Sequence, residues 1–289
     1  MSEALLELET GVREDAAAGS EDPIQALLRK RFAAPDYRAP MLPAAAVEVL
    51  RLSQLPNVGI DDVVLILEKD TLLAGRVLRL AQSAFYAGKS PAKTLVHAAV
   101  RLGVGTLRNV VLESAFHARL VRGTAFDGVL SLAQSHSLGV AYLCRMVARS
   151  LEADPDFAFM LGLLHDTGLI AALTVLSEQR GQPLNPDVIS AVRVIHGEAG
   201  GIVAGIWQLP ERLRVAIATH HQEPKEPGAA VLAIAEHLAE RLGLGLPGFD
   251  DDGKIERLQG ALRVFSIDDK WLDRLLGDGK RIVELAVPE

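Results

Sequence analysis

The chain has 289 residues, of which 49% are hydrophobic and 23% charged, with a mean hydropathy of +0.21; these values exclude a largely disordered chain and allow one or two compact domains. Aromatics make up only 4% while Leu and Ala dominate, so strand formers are scarce and an all-β fold is excluded. The net charge of −7 and pI of about 5.7 argue against general nucleic-acid binding, because phosphate recognition requires a field of opposite sign.

Residues 1–22, rich in Glu, Ala and Gly, read as a flexible acidic tail lacking the basic and apolar regions of a signal peptide. No apolar run reaches the roughly 20 residues of a spanning helix. The single cysteine, Cys144, cannot close a disulfide within the chain and reads as a small buried apolar residue. A cytoplasmic protein without membrane association is expected.

From Ile24 the apolar residues recur at helical spacing in short segments separated by Pro, Gly or charge: IQALLRKRF, AAVEVLRLS, DDVVLILEKD, LLAGRVLRLAQSAF, LVHAAVRL and LRNVVLESAFHARLV. They predict an N-terminal helical subdomain over 23–127. Its Thr71–Phe126 stretch holds eight cations against one anion, Glu113. Arg76 and Arg79, three apart on one predicted helix, share a face and with Arg108 form a candidate surface for an anionic partner, either an acidic protein or a nucleotide.

A second series occupies 128–243, with helices expected at about 129–151, 155–177, 186–206, 210–221 and 229–242. Asp154-Pro155, Asn185-Pro186 and Leu209-Pro210 mark three starts, the first two with capping side chains. Residues 244–289 read as a linker and a C-terminal helical extension, with Ser266-Ile267-Asp268-Asp269 as a capping box. The expected fold is therefore all-α, with two abutting helical subdomains.

His136, His165, His196, His220 and His221 fall on successive helices of the second series, with Asp166 and Glu236 beside or just after them. Imidazole and carboxylate together suit Zn, Mn or Fe, and several helices of a bundle can aim them at one interior point. Neighbours on a helix point about 100° apart. The pairs His165-Asp166 and His220-His221 therefore suit a site with two ions, in which a carboxylate bridges and the imidazoles serve different metals. A buried hydrogen-bonded network of the same histidines is the alternative reading.

HDTG within LGLLHDTGLI, an upstream His136 and a downstream His pair resemble the HD superfamily of metal-dependent phosphohydrolases. More specifically, the stretch from Met41-Leu42-Pro43 to Leu242 resembles the HDOD family, regarded as regulatory and noncatalytic relatives of the cyclic-di-GMP-hydrolysing HD-GYP domains. Asp70, Leu73, Arg76, Leu78 and Ser83 match one family stretch, with Thr71 in place of a proline and Gln82 in place of an asparagine. Leu102-Gly103, QSHSLGVA, HGEAGGIVAGIWQLP and ATHHQEP follow in family order.

The resemblance implies that the second subdomain is an HD-like bundle. It also implies that His136, His165, Asp166, His196, His220 and His221 are metal ligands of a mono- or dinuclear Fe, Mn or Zn centre, with Glu236 where an aspartate would close the set. Three hydrolase features are missing: Leu169 stands in place of a lysine, Gln222 in place of a glutamate, and no Gly-Tyr-Pro follows. The expectation is a bacterial signalling module that senses a ligand or binds another signalling protein without turnover. A di-metal phosphohydrolase acting on a nucleotide or cyclic dinucleotide, with Asp166 bridging the ions, and an anion-binding or nucleic-acid-binding role for residues 71–126 are the alternatives.

Overall fold

The computed structural model describes residues 22–39, 48, 52, 59–83, 86, 91–117, 126–178, 183–249 and 253–286, and among them every regular element is an α-helix. In chain order these are α1 (Pro23–Phe32), α2 (Ile60–Leu67), α3 (Thr71–Gln82), α4 (Leu95–His117), α5 (Asp127–Ser150), α6 (Pro155–Leu164), α7 (Thr167–Ser177), α8 (Pro186–Ile206), α9 (Glu211–Ala218), α10 (Pro227–Arg241), α11 (Lys254–Phe265) and α12 (Asp269–Ala286). Most of the acidic tail, Met41-Leu42-Pro43, Lys89, Arg119 and Arg122 lie outside the described residues.

Helices α2–α4 form one unit, and α1 with α5–α12 form the other. In the first unit, α2 buries Val63, Val64, Ile66 and Leu67, and α3 buries Leu73, Val77 and Ala81. Helix α4 turns at Gly103, whose φ of +77° is in the left-handed region that favours glycine. That turn separates LVHAAVRL from LRNVVLES, as the sequence predicts.

The expected division near Asp127 is corrected at α1. Leu28 and Phe32, one turn apart, are both buried, α1 packs on α7 and α8, and Arg29 pairs with Glu198 of α8 at 3.1 Å. This helix belongs to the histidine-bearing unit, with its cap supplied by Asp22, whose Oδ1 accepts from the amides of Ile24 and Gln25.

That unit is built on two apolar crossings, α5 with α6 and α7 with α8. Helix α6 is buried from Ala158 to Leu164, the mark of a helix enclosed by its neighbours. A Cβ on Gly162 would lie 2.9 Å from Ala141 Cα and 2.9 Å from Cys144 Sγ, so Gly162 sets the closeness of α5 and α6. Cys144 is buried, and burial pushes its thiol well above its usual range. The stretches Pro155–Ser177 and Pro186–Ile206 are apolar enough by composition to cross a membrane, but 89% and 56% of their windows are buried within the protein. Their apolarity is that of core helices.

The C-terminal extension is integral to the same unit: α11 packs on α10, and α12 on α5 and α10. Ser266 does not cap α12 as expected. It ends α11 with φ +53°, and Asp268 Oδ1 instead accepts from the Trp271 amide at 3.1 Å.

Candidate metal centre

The predicted helix over 155–177 is two helices, broken at His165-Asp166. The Thr167 hydroxyl donates to the Leu164 carbonyl at 2.8 Å, satisfying an end of α6. The break seats the start of α7 directly against α8: a Cβ on Gly168 would lie 1.8 Å from the His196 carbonyl oxygen and 2.4 Å from the Gly200 amide nitrogen. Asp166 occupies the N-cap position of α7 yet makes no capping hydrogen bond. Its carboxylate points to the histidines instead.

Around that carboxylate the ring nitrogens divide in two. His136 Nε2 and His165 Nε2 lie 3.7 and 3.2 Å from Oδ2, while His196 Nε2 and His220 Nε2 lie 3.5 and 3.6 Å from Oδ1. His221 Nε2 lies 2.6 Å from His196 Nε2, and Glu236 Oε1 lies 3.8 Å from His165 Nε2. Two ligand trios result, His136–His165–Asp166 and His196–His220–His221, each with donor atoms within 4.8 Å of one another.

Backbone contacts fix which ring nitrogen faces the centre. Nδ1 of His136, His165 and His220 lies 2.7, 2.8 and 2.7 Å from the carbonyls of Leu244, Gly162 and Ile217, and His196 Nδ1 lies 2.7 Å from that of Arg193. A carbonyl oxygen only accepts, so each Nδ1 carries a proton and donates. When these rings are neutral, their Nε2 atoms present lone pairs inward, the arrangement of metal-binding imidazoles oriented by an outer hydrogen bond.

The buried Nε2 atoms of His165 and His220 have no hydrogen-bond partner. Their nearest acceptors are the two oxygens of Asp166, at 3.2 and 3.6 Å, so both rings face the same carboxylate. Orphaned buried nitrogens are costly in a closed network. A divalent ion would satisfy them, and the imidazole–carboxylate donor set suits Zn, Mn or Fe.

Electrostatics of the metal-free cluster follow from burial and proximity. Burial disfavours charge on His165, but the Asp166 charge, its contact and Glu236 outweigh it and raise the imidazole to about 9. His196 is pushed down to about 3 by burial, with His220 and His221 adding repulsion that Asp166 does not offset. Burial also lowers His136 and His220. Against the upward push of burial, His165 foremost holds Asp166 well below the carboxylate range, and Arg257 foremost lowers Glu236. In the metal-free cluster a proton on His165 Nε2 balances Asp166 and Glu236, and a bound ion would take that proton's place.

A cavity of about 80 Å³ opens onto the centre, lined by His136, Asp166, His196, His221 and Glu236 together with Leu169. Gln222 is exposed and does not line it. Among the lining residues that were not singled out from the sequence are His237, Lys254 and Arg257. His237 neighbours Glu236 in sequence, a usable signal. Lys254 and Arg257 belong to the extension, where no motif marks them. Arg257 Nη1 donates to Glu236 Oε2 at 2.9 Å and to the His220 carbonyl at 3.1 Å, and Lys254 pairs with Glu240 at 2.6 Å.

The proposed anion-binding arginines lie in the α2–α4 unit, and none lines this cavity. Arg79 is exposed, whereas Arg76 and Arg108 are half-buried and engaged in interactions.

The HDOD domain matches residues 39–223, and the chain belongs to the HDOD family. It is 27% identical over 200 residues to an uncharacterized protein of Treponema pallidum (strain Nichols), covering 65% of this chain and 38% of that relative's length. Among solved structures, a candidate metal-dependent phosphohydrolase from Shewanella amazonensis SB2B superposes with a TM-score of 0.72 at 17% identity, covering 92% of this chain and 98% of that one. A candidate signal transduction protein from Marinobacter aquaeolei VT8 gives a TM-score of 0.59 at 20% identity, covering 98% of this chain and 63% of that one. At these identities the similarities establish the fold.

Proposed function

We propose that this protein is a bacterial cytoplasmic regulatory module in which the histidine-bearing unit holds one or two Fe, Mn or Zn ions. In this reading the metal or ligand state of the centre governs binding of another signalling protein, without hydrolase turnover. The observation that carries the metal reading is the pair of buried Nε2 atoms on His165 and His220 that complete no hydrogen bond and face the two oxygens of Asp166 from either side. His136 and His165 would hold one ion and His196, His220 and His221 a second, with Asp166 contributing to both sets and Glu236 closing the first. Bound there, such ions supply Lewis acidity and an activated water.

Three features argue against turnover of a cyclic dinucleotide. Leu169 puts an apolar wall where the active relatives carry a phosphate-binding lysine. Gln222 turns away from the cavity. The cavity, about 80 Å³, is far below the roughly 300–1,000 Å³ of sites that bury a ligand of even drug size. The phosphohydrolase reading stays open through Lys254 and Arg257, which bring cations to the cavity wall from another helix.

Elemental analysis of protein purified without chelator, paired with a cyclic-di-GMP hydrolysis assay in Mn²⁺ or Fe²⁺, tests the proposal. Stoichiometric metal without hydrolysis is the expected result. Absence of bound metal, even after reconstitution, would overturn the metal centre, and robust hydrolysis that vanishes in Asp166→Ala would establish the enzyme reading instead.

A further inference from the structure

We propose that Arg257 is a positioning residue of the metal centre, and that through it helix α11, which lies beyond the matched HDOD span of 39–223, is a working part of the site. The inference rests on the metal reading above. Arg257 is buried, with 7% of its surface exposed, and its Nη1 joins two different parts of the centre: the Glu236 carboxylate on α10 and the His220 carbonyl after α9.

The geometry at Glu236 explains the role. One oxygen, Oε2, is held by Arg257 at 2.9 Å, and the other, Oε1, faces His165 at 3.8 Å. A carboxylate fixed by a guanidinium on one oxygen presents the other in a single direction, which is how outer hydrogen bonds orient metal ligands. The bond to the His220 carbonyl anchors the backbone that carries the His220-His221 pair. One side chain thereby steadies ligands of both trios.

Neighbouring contacts hold α11 close enough to do this. A Cβ on Gly260 would lie 3.1 Å from Glu223 Cγ and 3.2 Å from Pro224 Cδ, in the loop that follows the histidine pair. Arg263 pairs with Glu223 at 2.9 Å and Lys254 with Glu240 at 2.6 Å. Ordering of α11 and metal affinity must then be coupled, and such coupling is reciprocal.

The test is a metal titration of the full chain with Zn²⁺ and with Mn²⁺ against a competing chelator, in wild type, Arg257→Met, Arg257→Lys, Glu236→Gln and the Glu236→Gln/Arg257→Met double variant. The double variant strands no buried carboxylate and so guards against simple misfolding. Arg257→Met is expected to weaken binding by about 10–100-fold, Arg257→Lys to recover part of that loss, and Arg257→Met in the Glu236→Gln background to cost less than about threefold. In wild type, but not in Arg257→Met, metal should slow amide exchange across residues 254–265. Equal losses in both backgrounds, or no loss at all, would overturn the positioning role and leave the metal centre standing. A wild-type chain that binds no metal would remove both.

Discussion

At Asp166 the carboxylate that begins a helix makes no capping bond and instead meets four imidazoles. Asp166→Asn keeps the shape and removes the charge. Metal content measured by elemental analysis should fall to near zero, and in the metal-free variant the His165 ring should titrate well below its wild-type value of about 9, as read by imidazole NMR. A variant that keeps full metal content would refute the bridging role. The same groups fix a pH profile for the metal-free protein. His165 has a raised folded pKa, so its stabilising contribution is complete below its unfolded value of about 6.5 and is lost as pH rises through about 9. His136, His196 and His220 are lowered, so the unfolded chain binds more protons and stability falls as pH drops below about 6.5. The lowered carboxylates of Asp166 and Glu236 add to that acid loss. The Tm of chelator-treated protein should therefore peak near neutrality and fall by on the order of 5 °C towards pH 9. A Tm that climbs steadily from pH 7 to 9.5 would contradict this account, and Zn²⁺ should abolish the alkaline limb by replacing the proton on His165.

Among the helices, the decisive crossing is α7 on α8. Gly168→Ala places a methyl group 1.8 Å from a backbone oxygen of His196, and backbone cannot yield as a flexible side chain can. The substitution should cost about 3 kcal/mol or more, lowering Tm by roughly 6–12 °C, and should displace His196 and so weaken metal binding. Gly200→Ala, which meets the Ile217 side chain at 2.8 Å, should cost less. Equal melting of Gly168→Ala and wild type would show that the crossing tolerates the extra volume. Much of this layer was legible in the sequence, because Pro after a capping residue is a local signal: Asp154 Oδ1 accepts from Asp156 and Phe157, and Asn185 Oδ1 from Val188. The break at His165-Asp166 was not. Residues 155–177 read as one continuous helix because both halves are apolar and the one glycine before Asp166, Gly162, is tolerated inside a helical pattern; the break is seen in tertiary structure, where Gly168 packs on α8 and the Thr167 hydroxyl closes the end of α6. The histidines were legible by type and order, whereas Arg257 reaches Glu236 across 21 residues by tertiary contact alone.

Taken as a whole, the histidine-bearing unit gathers its candidate ligands from His136 on α5 to Glu236 on α10 and is closed by α11, while α1 and α12 pack around it. No single segment holds the site. Such a centre is absent from the unfolded chain, so metal binding free energy appears as folding free energy. At a free Zn²⁺ or Mn²⁺ concentration about 100 times the dissociation constant, the native state gains about 2.7 kcal/mol per site. For a chain of this size that corresponds to a rise in Tm of roughly 5–10 °C, reversed by chelator and lost in Asp166→Asn. Removing metal should also raise exchange at the carbonyl-anchored turns around His165 and His220 before it affects the buried middle of α6, because those turns lie outside the regular helices and carry the candidate ligands themselves. Differential scanning calorimetry with and without metal, paired with hydrogen exchange, measures both effects. A Tm indifferent to saturating Zn²⁺, Mn²⁺ and Fe²⁺ alike would mean that the histidine cluster is a hydrogen-bonded network, and its partnerless nitrogens would then have to be satisfied by buried water.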